Sequence, residues 1–364
     1  MLDFRAMQTG IIGLPQVGKT TLFKILTKAH LDTRASQSAT HIGVARVPEK
    51  RLEQLAVLFK PKKITYATVE YVDVGGLAAE KARESASLVQ LREVDALAHV
   101  VRVFENPSVP HPAGSADPMR DAENLDLELM LADLDQVTRR LERLEKDIKK
   151  KKDPVLEQEQ AAINRCRVAL EAGQPLRELE FTPDETKKIA GFKFLSQRPM
   201  LYVLNLGDED AAELETAGEK HGLGKLTGKP NTVVVPICGR IEAELAELGD
   251  AEAAELLSAY GLKSPGLDRV IQATYKLLGL TSFFTAGEPE VRAWTIHKGM
   301  SAQKAAGVIH TDIERGFIKA EVVRWDQLLE AGSWAAARER AWLRLEGKEY
   351  VVQEGDVILF RHSG

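Results

Sequence analysis

One short segment near the N-terminus constrains the fold of this chain more than any other feature. Residues 13–20 read Gly-Leu-Pro-Gln-Val-Gly-Lys-Thr, between a predicted apolar strand at 10–14 and a predicted helix at 19–29. Glycine at positions 13 and 18 permits backbone angles that a Cβ atom would block, so that successive N–H groups can point at one anion. The helix that follows presents the positive end of its dipole to the same anion. The segment therefore predicts a phosphate-binding turn.

The residues of this turn have distinct expected tasks. We expect Lys19 to contact the β- and γ-phosphates of a nucleotide and the Thr20 hydroxyl to coordinate Mg²⁺. A chance match to the pattern would occur in about one chain in a hundred of this length, and fewer would place it between a strand and a helix. The predicted nucleotide-binding residues of this segment are Pro15, Gln16, Val17, Gly18, Lys19, Thr20 and Thr21.

A second group of residues is typical of nucleotide switches. Asp73-Val74-Gly75-Gly76 ends a predicted strand at 64–74. Asp73 can hold Mg²⁺ through water, and the Gly76 N–H can meet the γ-phosphate. Thr40, in a polar stretch, is a further candidate Mg²⁺ ligand, with an ordinary surface threonine as the alternative. Leu77 stands where many GTPases have the glutamine that orients the attacking water, and a leucine cannot do so.

Two later segments complete the predicted site. His111 lies in a proline-rich loop and is the candidate substitute for that glutamine, with an exposed loop histidine as the alternative. Asn205-Leu206-Gly207-Asp208 follows a predicted strand at 200–204 and is similar to a base-reading NKxD element without its lysine. An Asp208 carboxylate would accept hydrogen bonds from guanine. Cys238 and Gly239 follow a predicted strand at 232–237, in the place of the last base-contacting loop.

The remaining pattern predicts the architecture. Strands separated by helical stretches indicate a mostly parallel sheet with helices on both faces. Between the strands, leucines recur at spacings of three and four and predict a helical coiled-coil hairpin, with a lysine run at its tip at 149–152. The predicted seam of its first helix is Leu127, Leu131, Leu134, Val137, Leu141, Leu144 and Ile148. Residues 182–185 predict a capping box, and short strands after residue 279 predict a small α+β module.

Composition excludes several classes of protein. The formal net charge of −5 is unlike that of a protein that coats nucleic acid non-specifically. Cys166 and Cys238 fall in unrelated contexts, which favours reduced thiols. We find no apolar signal segment, and no run approaches the roughly 20 apolar residues that span a bilayer. We therefore expect a cytoplasmic protein with no membrane partner.

These motifs together resemble the YchF subfamily of Obg-related P-loop GTPases, the Obg-like ATPases, over nearly the whole chain. The resemblance depends on GLPQVGKTTLF at 13–23, DVGGL at 73–77, HVVRVFEN at 99–106, LADLDQV at 131–137, PGLDRVIQATYKLLGL at 265–280, FFTAGEPEVRAWTI at 283–296, AAGVIHTDIERGFIKAEVV at 305–323 and EGKEYVVQEGDVILF at 346–360.

The resemblance implies a P-loop G domain over 1–280, a coiled-coil insertion at 124–195 and a TGS domain with a β-grasp, ubiquitin-like fold over 281–364. It also implies ATP hydrolysis, often preferred to GTP hydrolysis, with a hydrophobic residue such as Leu77 replacing the catalytic glutamine. Thr40 falls on the family's switch threonine. This chain departs from the family in a shorter loop after Thr40, in a stretch at 78–87 without glycine, and in Asp208 where glutamate is typical. The choice between ATP and GTP therefore stays open.

The motifs predict a Mg²⁺-dependent P-loop nucleoside triphosphatase for ATP or GTP. The resemblance, together with the basic tip of the hairpin, implies a ribosome-associated switch. The expected ribosomal RNA contacts are the lysine run at 149–152 and a basic, aromatic surface of the TGS domain, with an ordinary solvated surface as the alternative for each. Residues of that surface are Arg292, Trp294, His297, Lys298 and Arg315. The alternative is a nucleotide-binding scaffold with vestigial hydrolysis that acts through protein contacts. A metabolic kinase is less favoured, because the elements at 73–76 and 205–208 are typical of switch proteins.

Overall fold

The computed structural model of the chain describes residues 7–28, 41–74 and 86–363. Contacts divide it into two compact units, one of residues 44–69 and 278–363 and the other of the remaining described residues. This division differs in one respect from the predicted boundary at residue 280, because residues 44–69 group with the C-terminal residues. The strands are β1 (Gln8–Ile12), β2 (His41–Arg46), β3 (Ile64–Thr65), β4 (Thr68–Asp73), β5 (Ala96–Arg102), β6 (Met200–Asn205), β7 (Thr232–Ile237), β8 (Leu280–Ala286), β9 (Val291–His297), β10 (Phe317–Arg324), β11 (Arg344–Glu346) and β12 (Asp356–His362).

The helices of the described residues lie between and after these strands. They are α1 (Lys19–Thr27), α2 (Lys50–Phe59), α3 (Ala86–Leu91), α4 (Pro118–Lys150), α5 (Pro154–Glu171), α6 (Pro183–Ile189), α7 (Ala217–Lys220), α8 (Gly239–Glu247), α9 (Asp250–Ala259), α10 (Gly266–Leu277), α11 (Ala302–Ile309), α12 (Thr311–Arg315), α13 (Trp325–Ala331) and α14 (Trp334–Glu339). Within the described ranges, no helix is both long and apolar enough to cross a membrane. Cys166 and Cys238 are buried, free thiols.

The larger unit is built on a mostly parallel sheet with strand order β2-β4-β1-β5-β6-β7. Every residue of β5 and β6 is buried, as expected for central strands covered by helices on both faces. β1 pairs in parallel with β4 and β5, and β6 pairs in parallel with β5 and β7. The carboxyl ends of these strands therefore meet at one edge of the sheet, where ligands bind in folds of this kind.

The predicted helical hairpin is present as α4 and α5. Val137, Leu141 and Leu144 are buried in its seam, and Asp153 caps α5 by accepting a hydrogen bond from the Val155 N–H at 2.9 Å. The predicted seam was wrong at its first residue, since Leu127 is 48% exposed. The first turns of α4 instead bury Leu125 and Leu129 in the core of the sheet, so that a different face of the helix is apolar there.

A buried carboxylate fastens the root of this hairpin. Asp133 on α4 is fully buried and accepts hydrogen bonds from the backbone N–H groups of Leu195 and Ser196, at 3.0 and 2.7 Å. The Arg92 guanidinium lies 3.1 Å from the same carboxylate. The predicted capping box of α6 is confirmed, because the Thr182 hydroxyl accepts from the Glu185 N–H while the Glu185 carboxylate accepts from the Thr182 N–H.

The smaller unit contains a mixed sheet with strand order β11-β10-β12-β8-β9-β3. β8 and β9 form an antiparallel hairpin, β12 pairs with β8 in parallel, and β10 pairs antiparallel with β12 and β11. Ala302, Ala305 and Ala306 of α11 pack into the core against this sheet. This order around a crossing helix is the predicted β-grasp arrangement.

The single strand predicted at 64–74 was wrong, because it divides into β3 and β4. β3 joins the sheet of the smaller unit by pairing with Val291 and Arg292, whereas β4 belongs to the parallel sheet. β-branched residues favour strands throughout this segment, but strand propensity does not specify the partner strand. α2, which precedes β3, buries Leu52 and Leu55 completely in the smaller unit.

Candidate functional site

The turn between β1 and α1 has the backbone that its glycines predict. Gly13, Gln16 and Gly18 have positive φ angles of 145°, 62° and 104°. A Cβ atom on Gly13 would lie 2.5 Å from the Val100 carbonyl oxygen, and one on Gly18 would lie 2.6 Å from Asn205 Nδ2. Both distances are too short for real contacts, so glycine is required at both positions. The result is a closed turn above the first residue of α1.

Lys19 folds back over this turn. Its Nζ atom donates hydrogen bonds to the carbonyl oxygens of Gly13 and Leu14, at 2.9 and 2.6 Å. Burial lowers the pKa of Lys19 to about 8, and the nearby Asp73 carboxylate opposes that shift. An anion at the turn would hold the ammonium form by offering it a charged partner.

Asp73 ends β4 beside this lysine. The carboxylate is 6% exposed. Burial raises its pKa, while Lys19, His41 and a hydrogen bond from the Thr20 hydroxyl oppose the rise. A hydroxyl and a carboxylate next to a phosphate turn are the hard oxygen ligands that Mg²⁺ prefers. In the described part of the chain, no group of three or more His, Cys, Asp or Glu side chains could hold a metal by itself. The residues thus fit a magnesium ion that takes its other ligands from phosphate and water.

Asn205 at the end of β6 links two loops. Its Nδ2 donates to the Val17 carbonyl oxygen at 2.9 Å, and its Oδ1 accepts from the Gly239 N–H at 3.0 Å. The side chain is 8% exposed, so both hydrogen bonds are shielded from water. Asn205 therefore fixes the phosphate turn relative to the first residue of α8.

Asp208 and Cys238, both predicted in the base-binding region, contact each other. The Cys238 thiol donates to Asp208 Oδ1 at 3.3 Å, and the Arg240 guanidinium lies 3.0 Å from Asp208 Oδ2. Burial raises the pKa of Cys238 to about 11, so that it is a neutral S–H donor near pH 7. Both carboxylate oxygens of Asp208 thus have a partner.

A cavity of about 520 Å³ opens between the phosphate turn and these loops. Its wall includes six of the predicted nucleotide-binding residues, namely Gln16, Gly18, Thr21, Asn205, Asp208 and Gly239. Residues that sequence reasoning missed also line it, among them Phe104, Val109, Ile237 and Arg240. An aromatic residue directly after the buried strand β5 was the available signal for Phe104. The apolar and amide-bearing walls suit a planar heterocyclic base.

A buried arginine supports the Phe104 wall. Arg102 is 1% exposed, and its Nε donates to the Phe104 carbonyl oxygen at 2.9 Å. The same guanidinium lies 4.5 Å from the centre of the Phe104 ring. This stacking fixes the orientation of the ring at the edge of the cavity.

The other predicted site residues fall in different places. Pro15 and Gln16 are exposed on the turn, while Val17 is buried beneath it. Thr40, Gly76 and Leu77 lie outside the described residues, as does most of the stretch at 78–87.

His111 has close partners within the protein. Its Nε2 lies 3.0 Å from Asp121 Oδ2, and its Nδ1 accepts from the Ala113 N–H at 3.2 Å. The side chain is 1% exposed and does not line the cavity. Orienting a water molecule at the phosphates would therefore require His111 to leave Asp121, and its catalytic role stays a prediction.

The predicted RNA-binding surfaces also differ in accessibility. Lys149–Lys152 are all exposed where α4 ends and α5 has not begun. In the smaller unit, His297, Lys298 and Arg315 are exposed. Trp294 instead stacks on Phe283 of the core at 6.4 Å between ring centres, and the Arg292 guanidinium lies 3.8 Å from the centre of the Trp294 ring.

Two family models match this chain. The model YchF-GTPase_C, described as "Protein of unknown function (DUF933)", matches residues 280–363. The model MMR_HSR1, described as "50S ribosome-binding GTPase", matches residues 8–158. The first segment contains strands β8 to β12 of the smaller unit, and the second contains the phosphate turn.

Relatives of known name match nearly the whole chain. The "Ribosome-binding ATPase YchF" of Bacillus subtilis (strain 168) is 41% identical over 366 residues, covering 98% of this chain and 100% of the relative. The protein of the same name from Escherichia coli O157:H7 is 40% identical over 358 residues, covering 96% and 98%. The solved structure of the Schizosaccharomyces pombe YchF GTPase has a TM-score of 0.85 at 30% identity, covering 98% of this chain and 97% of that one. The predicted fold class and resemblance are confirmed: this chain belongs to the YchF family.

Proposed function

We propose that this protein binds ATP or GTP with Mg²⁺ and hydrolyses the terminal phosphate, and that it associates with ribosomes in the cytoplasm. One observation carries the enzymatic part of the proposal. The glycine turn, the Lys19 ammonium and the Asp73 carboxylate converge at the carboxyl edge of the sheet, beside a cavity of about 520 Å³.

The phosphate chain is the part of the ligand that this geometry fits best. Backbone N–H groups of the turn and the N-terminus of α1 supply partial positive charge without any side chain. Lys19 now donates to the turn's own carbonyls. A triphosphate would replace these neutral acceptors by charged oxygens, and charge-assisted hydrogen bonds are roughly twice as strong.

Thr20 and Asp73 are the described residues that would hold the metal, the first directly and the second through water, with Thr40 as a further proposed ligand. Bound Mg²⁺ would neutralise charge that develops on the phosphate oxygens. The Thr20 hydroxyl and the Asp73 carboxylate already interact, so the protein brings both oxygen ligands together before any metal binds.

The base would occupy the cavity between Phe104 and the loop after β7. Asn205 holds the two loops that bound this space, and Asp208 offers a carboxylate at its rim. The proposal covers both purine nucleotides. The bacterial relatives are named ATPases and the fission yeast relative a GTPase.

The hydrolytic step needs a group that orients water, since Leu77 cannot do so. His111 is our candidate, and it would act after release from Asp121. The competing proposal is a scaffold that binds nucleotide without meaningful turnover.

Phosphate release separates these two proposals. We expect Lys19→Ala to lose at least about two orders of magnitude in turnover, because the ammonium is needed where charge develops on the phosphates. Lys24→Ala is the matched control, since this lysine lies in the last turn of the same helix. A wild-type rate no faster than that of Lys19→Ala would favour the scaffold.

Ribosome association rests on the exposed lysine run and on the names of the relatives. Exposed lysines at a helix end contact phosphates with a strong dependence on salt. We expect alanine at Lys149 and Lys150 to reduce co-sedimentation with ribosomes. Alanine at Lys187 and Lys188, in the last turn of α6, is the control because it removes the same charge from an equivalent helical position. Equal co-sedimentation of both variants at several salt concentrations would exclude the tip as the contact.

A further inference from the structure

The base-reading carboxylate of this chain is paired with a cation. Arg240, the second residue of α8, places its guanidinium 3.0 Å from Asp208 Oδ2, and the Cys238 thiol donates to Asp208 Oδ1. Arg240 and Asp208 both line the cavity. The sequence predicted Asp208 as an acceptor for guanine and did not predict its pairing with Arg240.

The two purines present opposite groups to such a carboxylate. Guanine offers two N–H donors, at N1 and N2, which match the two oxygens of a carboxylate. Adenine offers a lone pair at N1, and a carboxylate is an acceptor only, so the two would repel each other. An unpaired Asp208 would therefore favour guanine and disfavour adenine.

Arg240 changes both the attraction of this site for guanine and its repulsion of adenine. Its guanidinium carries only donors, so it can face the adenine N1 lone pair, and its charge offsets that of Asp208. Its contact with Oδ2 must also be shared or broken before guanine can use that oxygen. The Arg240 side chain is 75% exposed and lies 3.8 Å from a second carboxylate, that of Glu244. Packing therefore does not prevent it from turning toward a base.

We propose that Arg240 is a specificity-determining residue of the base site, which weakens guanine readout by Asp208 and allows the cavity to accept adenine. This inference rests on the proposed function, because it assumes that a purine nucleotide occupies the cavity. Arg240 acts on the ratio of the two affinities and has no part in binding the phosphates.

The test is calorimetric titration of the full-length protein with non-hydrolysable ATP and GTP analogues in the presence of Mg²⁺. Exposed ion pairs contribute up to about 1 kcal/mol, which corresponds to about a fivefold change in Kd. We expect Arg240→Ala to shift the ratio of affinities toward GTP by about three- to fivefold. Lys263→Ala is the control, since it removes an equal, highly exposed charge that does not line the cavity. It should leave the ratio unchanged.

A second variant tests whether Arg240 acts through the carboxylate. In an Asp208→Asn background, Arg240→Ala should shift the ratio toward GTP by less than it does in the wild-type background, because the effects of coupled residues are not additive. An unchanged ratio in Arg240→Ala, or an equal shift in both backgrounds, would overturn the inference while nucleotide binding stands. Wild-type protein that binds neither analogue would instead refute the proposed function, and the inference with it.

Discussion

Asn205 gives the most direct test of how this site is held together. Asn205→Ala removes the hydrogen bonds to the Val17 carbonyl oxygen and from the Gly239 N–H, at 2.9 and 3.0 Å. Both backbone partners belong to loops that bound the cavity. The free protein therefore loses the link that sets the phosphate turn against α8, and nucleotide binding must restore that arrangement.

The expected size of the effect follows from the contacts. A neutral hydrogen bond contributes about 0.5–1.5 kcal/mol net, and a buried partner left without one costs more. Losing both bonds at a side chain that is 8% exposed should therefore cost about 2–3 kcal/mol. If this cost falls on the bound state, the Kd for nucleotide rises by about 30- to 150-fold.

Asn205→Asp separates the two bonds. The aspartate can still accept from the Gly239 N–H, but it places a second acceptor against the Val17 carbonyl oxygen. It also adds negative charge beside the phosphate turn, so that we expect at least as large a loss of affinity.

The assay is calorimetric titration with Mg²⁺ and a non-hydrolysable nucleotide, with thermal unfolding of each variant measured in parallel. Gln136→Ala is the control, because this amide also donates to a backbone carbonyl, that of Phe192 at 3.2 Å, but on the helical hairpin. It should change stability without changing affinity. An Asn205→Ala protein that binds within twofold of wild type would refute the reasoning.

Three further predictions concern titratable groups. Burial lowers the pKa of His99 to about 4 from 6.5, so the folded protein should lose stability as pH falls through this window. Measured by chemical denaturation, the free energy of unfolding should fall by about 2 kcal/mol between pH 8 and pH 5, and His99→Leu should remove this fall. Parallel pH profiles of stability for wild type and His99→Leu would contradict the prediction. Nucleotide affinity should fall as pH rises through about 8, because Lys19 loses its proton there, and Lys19→Arg should flatten this decline. A wild-type affinity that does not change between about pH 7 and pH 9.5 would exclude the coupling. His111→Ala should lower turnover by about 10²-fold or more with little change in Kd, and unchanged turnover would remove His111 from the mechanism.

The sequence predicted those parts of the site that depend on local backbone geometry. The glycine turn at 13–18 and the capping box at Thr182 have the predicted geometry, because glycine conformations and capping hydrogen bonds are decided within a few residues. Asp73 and Asn205 were predicted at the ends of strands, and in the structure they lie at one edge of the sheet because parallel strands end together.

The sequence did not predict contacts between distant segments. Leu127 fits the heptad pattern of the hairpin, yet α4 changes the face it buries where it leaves the sheet core. The Arg240–Asp208 pair joins loops that follow different strands, and the fastening of Asp133 to Leu195 and Ser196 spans the whole hairpin. Only the fold brings such residues together.

The pairing of β3 and the packing of α2 with C-terminal elements affect how the chain is synthesised and folded. Leu52 and Leu55 on α2, both fully buried, find their apolar neighbours in segments that leave the ribosome much later. The smaller unit therefore cannot complete its core until translation is nearly finished, whereas most of the parallel sheet is available earlier. Long-range pairing of this kind slows folding and leaves apolar residues exposed to other chains in the interval. A fragment beginning at residue 278 would lack this early segment and should be less stable than the same unit in the full protein.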